Sequence, residues 1–271
     1  MNKFYLITNK AKDSTMETTC RIKEYIEKRG RECVLWTDGE TMPRDVDCVL
    51  ILGGDGTLIR AAREMCAYRV PLLGINMGRL GYLTETEVGD FEESLNFLME
   101  NDDIRVEERM MLKGTINDCI EDVALNDIVF ARSGALRIIQ FKVYVNGELL
   151  NTYHADGVIV STPTGSTGYN LSAGGPIVEP TASMIVITPI CSHALNTSSI
   201  VLSAEDEVMI EVGKGRGNQT ETASVSFDGE HNVEVHTGDK IVIRKSEDTT
   251  KLVKLSSVSF LEILRKKMKG N

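Results

Sequence analysis

No apolar run in this sequence is long enough to cross a membrane, and Phe4-Tyr5-Leu6-Ile7, behind the first three residues, is too short for the core of a signal peptide. A cytoplasmic protein with no membrane partner is expected. The six cysteines (Cys20, Cys33, Cys48, Cys66, Cys119, Cys191) stand singly, with no C-x-x-C pair. That argues against zinc and against a disulfide framework, and reduced core thiols are the expectation. Basic charge is also scarce: 30 Lys and Arg against 40 Asp and Glu give a net charge of −10. Nonspecific binding of nucleic acid or anionic lipid is thereby disfavoured, so any anionic ligand must be held by local features. No two of the four histidines have H-E-x-x-H spacing. Gly165-Ser166-Thr167-Gly168 is not a G-x-S-x-G elbow, which disfavours a hydrolase.

What is present suits a folded protein. Of 271 residues, 42% are hydrophobic and 26% charged, enough for one or two packed cores, with two the better fit to the length. The first hundred residues alternate apolar runs with amphipathic stretches, the pattern of an α/β domain with a parallel sheet and flanking helices. Strands are expected at Phe4–Thr8, Cys33–Trp36, Cys48–Leu52 and Pro71–Ile75. Helices are expected up to Gly30, from Leu58 to Ala67, and to Met99 behind an Asp90 N-cap completed by Glu93. Past Asn101 the runs turn β-rich, at 124–131, 138–145, 157–161, 208–212 and 241–245. Asn146-Gly147 is a strong hairpin signal and Gly238-Asp239 a second turn. The expected organisation is an α/β domain over 1–101, a β-rich, sandwich-like domain over 102–255, and a C-terminal helix over 256–271 returning to the first domain.

Gly53-Gly54-Asp55-Gly56-Thr57 joins a buried strand to a helix N-terminus, where open α/β sheets bind ligands. Missing side chains let a phosphate approach the backbone amides, so Gly53, Gly54, Gly56 and Thr57 are candidate phosphate-binding residues. A dinucleotide G-x-G-x-x-G would need glycine where Ile59 stands, and no G-x-x-x-x-G-K-[ST] occurs, so Rossmann dehydrogenases and Walker NTPases are excluded. A carboxylate beside a phosphate cradle repels its ligand unless it binds a metal or takes a proton from a nucleophile. Asp55 is therefore the candidate catalytic residue.

This turn resembles that of the superfamily holding NAD kinases, diacylglycerol-type lipid kinases and, more distantly, 6-phosphofructokinases. The stretch from Asp156-Gly157 through Thr162-Pro163-Thr164-Gly165-Ser166-Thr167-Gly168-Tyr169 to Gly175-Pro176 resembles the long signature of NAD kinases. Asn126-Asp127 resembles that family's Asn-Glu pair, Asn76 to Leu83 its N-x-G-x-L-G-F/Y-L element, Thr188 to Leu195 its T-P-I-C-P-H-S-L segment, and Phe227-Asp228-Gly229-Glu230 its D-G-Q/E turn. The last reads equally well as an ordinary hairpin.

The resemblance implies a kinase phosphorylating the 2′-hydroxyl of the adenosine ribose of NAD to give NADP, with Mg²⁺ and with ATP or polyphosphate as donor. It implies that Asp55 deprotonates the hydroxyl. Gly56, Tyr82, Asn126, Asp127, Asp156, Thr164, Thr167, Gly168, Tyr169 and Ser172 would contact the dinucleotide, with Tyr82 near the adenine and Asn126 and Asp127 on the ribose. Arg79, His154 and His231 are further candidates, and no residue is assigned as a direct metal ligand. A homodimer or homotetramer is implied by resemblance alone. Asp127 replaces Glu, Gly168 stands where alanine is frequent, Arg79 where histidine is frequent, and Ser192 and Ala194 replace Pro and Ser. A lipid kinase would share the glycine turn but not the long signature. A noncatalytic NAD(P) sensor could dispense with Asp55. The basic groups facing the donor stay open among Arg79, Arg132 and Lys214.

Overall fold

A computed structural model describes residues 1–36, 41–78, 81–133, 139–193, 198–215, 219–256 and 258–269. In chain order the first elements are β1 (Lys3–Thr8), α1 (Glu17–Glu27), β2 (Glu32–Leu35), β3 (Cys48–Gly53), α2 (Asp55–Met65), β4 (Leu72–Asn76), β5 (Thr86–Glu87) and α3 (Phe91–Glu100). There follow β6 (Val106–Ile116), β7 (Ile120–Ala124), β8 (Asp127–Arg132), β9 (Ile139–Val145), β10 (Glu148–Ala155) and β11 (Gly157–Ser161). After the short α4 (Tyr169–Ser172) come β12 (Met184–Ile190), β13 (Ile200–Ser203), β14 (Val208–Val212), β15 (Thr222–Phe227), β16 (His231–His236), β17 (Lys240–Val253) and α5 (Phe260–Met268). These elements form two units, residues 1–108 with 250–271, and residues 109–249. The divisions at 108/109 and 249/250 fall inside β6 and β17, each of which runs unbroken from one unit into the other.

In the first unit β4, β3, β1 and β2 lie side by side and parallel, with β5 beside β4. Every residue of β3 and β4 is buried, as expected of parallel strands covered on both faces. The helices bury one stripe each: Ile22 and Ile26 from α1, Leu58, Ala61, Ala62 and Met65 from α2, Phe91, Leu95 and Leu98 from α3. α5 belongs to this unit, and Lys267 Nζ lies 5.5 Å from the Tyr82 ring centre. Glu85 fixes the approach to that helix: its carboxylate, 3% exposed, pairs with Lys254 and accepts the Leu255 and Ser256 amides at 3.0 and 2.8 Å.

The second unit is an antiparallel β-sandwich. One sheet runs β10-β9-β14-β17, with β6 and β7 attached, and the other β13-β12-β11-β8-β15-β16. Strict alternation of buried and half-buried residues along β14 and β15 turns one face of each sheet into a shared core. Phe130 and Phe141 meet edge to face across it, at 6.1 Å. Positive φ at Asn146 (50°) and Gly147 (83°) fits the predicted hairpin turn.

Three expectations are corrected. Asp90 caps nothing with its side chain, because it ends a 3₁₀ turn (Val88–Asp90) that runs directly into α3. The run 124–131 is not one strand: it breaks at Leu125-Asn126. Of the six thiols, only Cys33, Cys48 and Cys66 are buried, while Cys20, Cys119 and Cys191 are exposed. Burial pushes the Cys33 and Cys48 thiols up to about 12, which keeps them neutral.

Candidate active site

β3 delivers the glycine turn at its C-terminal end. Gly54 is the N-cap of α2, so Asp55 is the first residue of the helix, three earlier than the apolar spacing indicated. The first-turn amides have no partner within the helix. A side chain at Gly53 is impossible, since a Cβ there would come within 2.5 Å of Thr57 Oγ1, whereas one at Gly56 would meet nothing within 4 Å. The turn is thus packed on one side and open on the other. Thr57 is 8% exposed and its hydroxyl accepts from Asn9 Nδ2 at 2.9 Å, so its side chain braces the turn.

Asp55 is held by a loop of the same unit. Oδ2 accepts the Tyr82 amide at 2.7 Å, and Oδ1 accepts those of Leu83 and Thr84 at 3.2 Å each. Gly81 makes the approach possible, because a Cβ there would lie 1.9 Å from Asp55 Oδ1. Three amides orient the carboxylate while Oδ2 keeps an acceptor position for one more proton donor. The Tyr82 phenol is raised above its ordinary value by burial and then by the Asp55 charge.

In the second unit the break at Leu125-Asn126 is a second carboxylate-held loop. Asp228, in the turn after β15, accepts the amides of Leu125, Asn126 and Asp127 at 2.8, 2.8 and 3.0 Å, and returns its own amide to the Asp127 carbonyl at 3.0 Å. Its φ of 52° is what turns the carboxylate back onto that segment. The long signature packs on the other side. The Thr162 amide donates to Asn126 O at 2.8 Å, its hydroxyl donates to Leu125 O at 2.6 Å, and a Cβ on Gly165 would lie 2.1 Å from Asn126 O. Asn126 Oδ1 and Thr164 Oγ1 are buried and have no hydrogen-bond partner among the described residues. Buried polar atoms are seldom left unpaired, so both suit a ligand. Asp127 is 6% exposed, and burial, then the charge of Asp228, raises its carboxyl to about 7.

Other signature residues hold the loop. Ser166 is fully buried, donates to Pro163 O at 2.7 Å and accepts the Val178 amide at 3.0 Å, which removes it as a nucleophile. Asn170 donates to Ser166 O and Pro176 O and accepts from Thr188. Gly168 closes the 3₁₀ turn Thr164–Thr167, and Thr167 donates weakly to Thr164 O at 3.5 Å. Tyr169 is 47% exposed, and Ser172 is exposed at the end of α4. Asp156 is engaged by Arg132, whose Nε donates to it at 2.7 Å. His231 pairs with Asp122 at 2.6 Å and stacks on Phe227, while His154 is an exposed residue of β10. Arg79 lies outside the described residues. Among those described, no three His, Cys, Asp or Glu side chains gather to hold a metal.

The clamping role of Asp228 was not evident from the chain, because its only local signal is an Asp-Gly turn that any hairpin could use. The grip of the Gly81–Thr84 loop on Asp55 was equally hidden.

The family models described as ATP-NAD kinase N-terminal domain and ATP-NAD kinase C-terminal domain match residues 8–104 and 125–255. An NAD kinase of Lachnospira eligens is 48% identical, with 99% of this chain and 100% of that one covered. One of Agathobacter rectalis is 47% identical, covering 100% and 99%. Among solved structures, an NAD kinase from Archaeoglobus fulgidus in complex with ATP superposes with a TM-score of 0.81 at 27% identity, over 98% of each chain. The yeast NADH kinase complexed with NADH shares the fold, with a TM-score of 0.83 at 21% identity over 100% of this chain and 88% of that one. An α/β unit with a glycine turn, joined to an antiparallel sandwich, defines a two-domain phosphotransferase of the kinase class. The chain belongs to the NAD kinase family.

Proposed function

We propose that the chain transfers the terminal phosphoryl group of ATP to the 2′-hydroxyl of the adenosine ribose of NAD, giving NADP and ADP. The observation that carries this reading is the Asp55 carboxylate, aimed by three amides and standing at the head of a helix whose first-turn amides are open to phosphate. Asp55 Oδ2 takes the proton of the attacking hydroxyl. The bond from its oxygen to the terminal phosphorus forms as the bond to the bridging oxygen breaks, and the amides of Gly54, Gly56 and Thr57 hold the phosphate oxygens. Asn126 Oδ1 and Thr164 Oγ1 supply acceptors for the hydroxyl and amino protons of the dinucleotide, with Asp127 beside Asn126 on the ribose. Thr167, Gly168 and Asp156 shape its surroundings. A magnesium ion would be carried by the donor phosphate oxygens beside the glycine turn, with no residue of the chain assigned as its direct ligand. The ion, when bound, neutralises charge on the phosphates. Polyphosphate can present the same terminal group. An oligomer and a cytoplasmic setting complete the proposal; no described helix is long and apolar enough to cross a membrane.

The test is NADP formation by the purified chain with NAD, Mg²⁺ and either ATP or polyphosphate, beside Asp55→Asn. The wild type is expected to turn over, and the variant to lose about a hundredfold or more in kcat, the scale set by loss of a general base. No NADP with either donor, despite clear binding of NAD, would replace the kinase by a dinucleotide sensor.

A further inference from the structure

We propose that Lys12 is the protein cation that receives the terminal phosphate of the donor at the glycine turn. This rests on the phosphotransferase reading and names a residue that none of the motifs contains. The chain leaving β1 is fastened to the turn before Lys12 is reached: the Asn9 amide donates to Leu52 O at 2.9 Å, and its side-chain amide donates to Thr57 Oγ1 at 2.9 Å. Asn9 then closes a tight turn, accepting the Ala11 amide on Oδ1 at 3.0 Å and those of Lys12 and Asp13 on its carbonyl at 2.9 and 3.0 Å. Asp13 pins the far side. Its buried carboxylate accepts the Thr19 amide at 2.8 Å and the Thr19 hydroxyl at 2.6 Å, at the start of α1. Burial alone would raise that carboxyl, but the bonds from Thr19, Thr18 and Glu17 outweigh it and hold the group below its ordinary value.

Between these two anchors the Lys12 side chain reaches over the ligand side of the turn. A Cβ added to Gly54 would lie 3.0 Å from Lys12 Nζ, and one added to Gly78 would lie 3.9 Å from it. Among the described residues, chain neighbours aside, the other atom within 4 Å of that Gly54 position is Asn76 Oδ1, at 3.8 Å. No hydrogen bond or ion pair engages Lys12 Nζ among the described residues, although the chain carries an excess of carboxylates. Lys12 is exposed, and its ammonium and the partly positive amides of the turn would both attract an anion placed between them. A terminal phosphate between Nζ and the amides of Gly54 to Gly56 satisfies both. Of the basic residues weighed from the sequence, Arg132 is paired with Asp156 and Arg79 lies outside the described residues.

Lys12→Met is compared with Lys12→Arg and with Lys10→Met, which removes a neighbouring exposed cation. Binding of ATP and of inorganic tripolyphosphate is followed calorimetrically, alongside steady-state kinetics. Lys12→Met is expected to weaken both anions and to lower kcat/KM for the donor about 10- to 100-fold, the scale of one charge-assisted hydrogen bond. KM for NAD and the melting temperature stay within error, Lys12→Arg recovers most of the loss, and Lys10→Met matches the wild type. Donor binding and kcat/KM in Lys12→Met equal to those in Lys10→Met would overturn the assignment while leaving the kinase intact. A wild type that makes no NADP yet binds tripolyphosphate through Lys12 would sink the kinase reading and keep the anion site.

Discussion

Asp228 Oδ1 accepts the Asn126 amide at 2.8 Å across a separation of 102 residues. With the amides of Leu125 and Asp127 it forms in the sandwich the device that Asp55 forms with Tyr82, Leu83 and Thr84 in the α/β unit. In each case a carboxylate accepts three consecutive backbone amides and so fixes a loop carrying residues of the proposed site. At Asp55 the carboxylate is also the reacting group. At Asp228 it is a positioning group, and the residues it presents are Asn126 and Asp127.

Asp228→Asn keeps the shape but turns an NH₂ group toward an amide donor, so at least one of the three bonds is lost. A cost of about 1–3 kcal/mol in stability is expected, from urea titration. The kinetic signature is a raised KM for NAD with KM for the donor unchanged, since the Asn126 segment moves while the glycine turn does not. Equal losses in both parameters would count against a positioning role.

Gly165 and Gly168 belong to the same short stretch yet should respond differently to a methyl group. At Gly165 the new carbon would lie 2.1 Å from Asn126 O, a backbone atom that cannot turn aside. At Gly168 the nearest atom is Gly165 O at 3.3 Å and φ is −95°. Gly165→Ala is expected to lose more than about 3 kcal/mol or to fail to fold, as overpacking against backbone does. Gly168→Ala, the residue frequent in this family, is expected to stay within about 1 kcal/mol of the wild type. Thermal melts of the two variants, side by side, decide the matter.

These pairs show what could be read from the chain and what could not. Buried strands such as Cys48–Gly53 announce themselves by composition, and Asn146-Gly147 by its tolerance of positive φ. Motif residues such as Asp55 were visible because local spacing carries them. The partners were not, because the grip of Asp228 on Asn126, or the placing of Lys12 beside Gly54, depends on which loops the fold brings together. Nothing local marks Asn9-Lys10-Ala11-Lys12 as part of a site until β1 is placed beside β3. Asp90 failed as a cap for a related reason: what precedes it is already a helical turn.

Glu85 tests how α5 is retained. Its carboxylate faces Lys254, itself only 12% exposed, and takes two amides and the Ser256 hydroxyl. Glu85→Ala strands that ammonium in a nearly dry site, with an expected cost of about 3–5 kcal/mol. Since α5 contributes no buried residue of its own, early proteolytic release of the segment beyond Lys254 should accompany the loss. A variant with wild-type stability would show that Lys254 finds water instead.

Asp127 gives the fold a pH dependence whose sign is fixed by its surroundings. Burial and the neighbouring Asp228 charge raise its carboxyl from 3.8 to about 7, so the native chain keeps a proton that the unfolded chain releases near pH 4. Within that window the native state binds more protons than the unfolded state. Stability therefore falls as pH rises, by about 1.4 kcal/mol per unit from this group alone. The contribution is complete below the unfolded value and gone above about 7. Asp127→Asn removes the titration, so its stability relative to the wild type should climb between pH 5 and pH 8 and level off beyond. Asp228→Asn should shift the upper edge of the window downward, because the repelling charge is gone while the burial remains. Urea titrations of the wild type and both variants at pH 5, 6, 7 and 8 measure the difference directly, and a difference that does not change with pH would show that Asp127 is already ionised throughout that range.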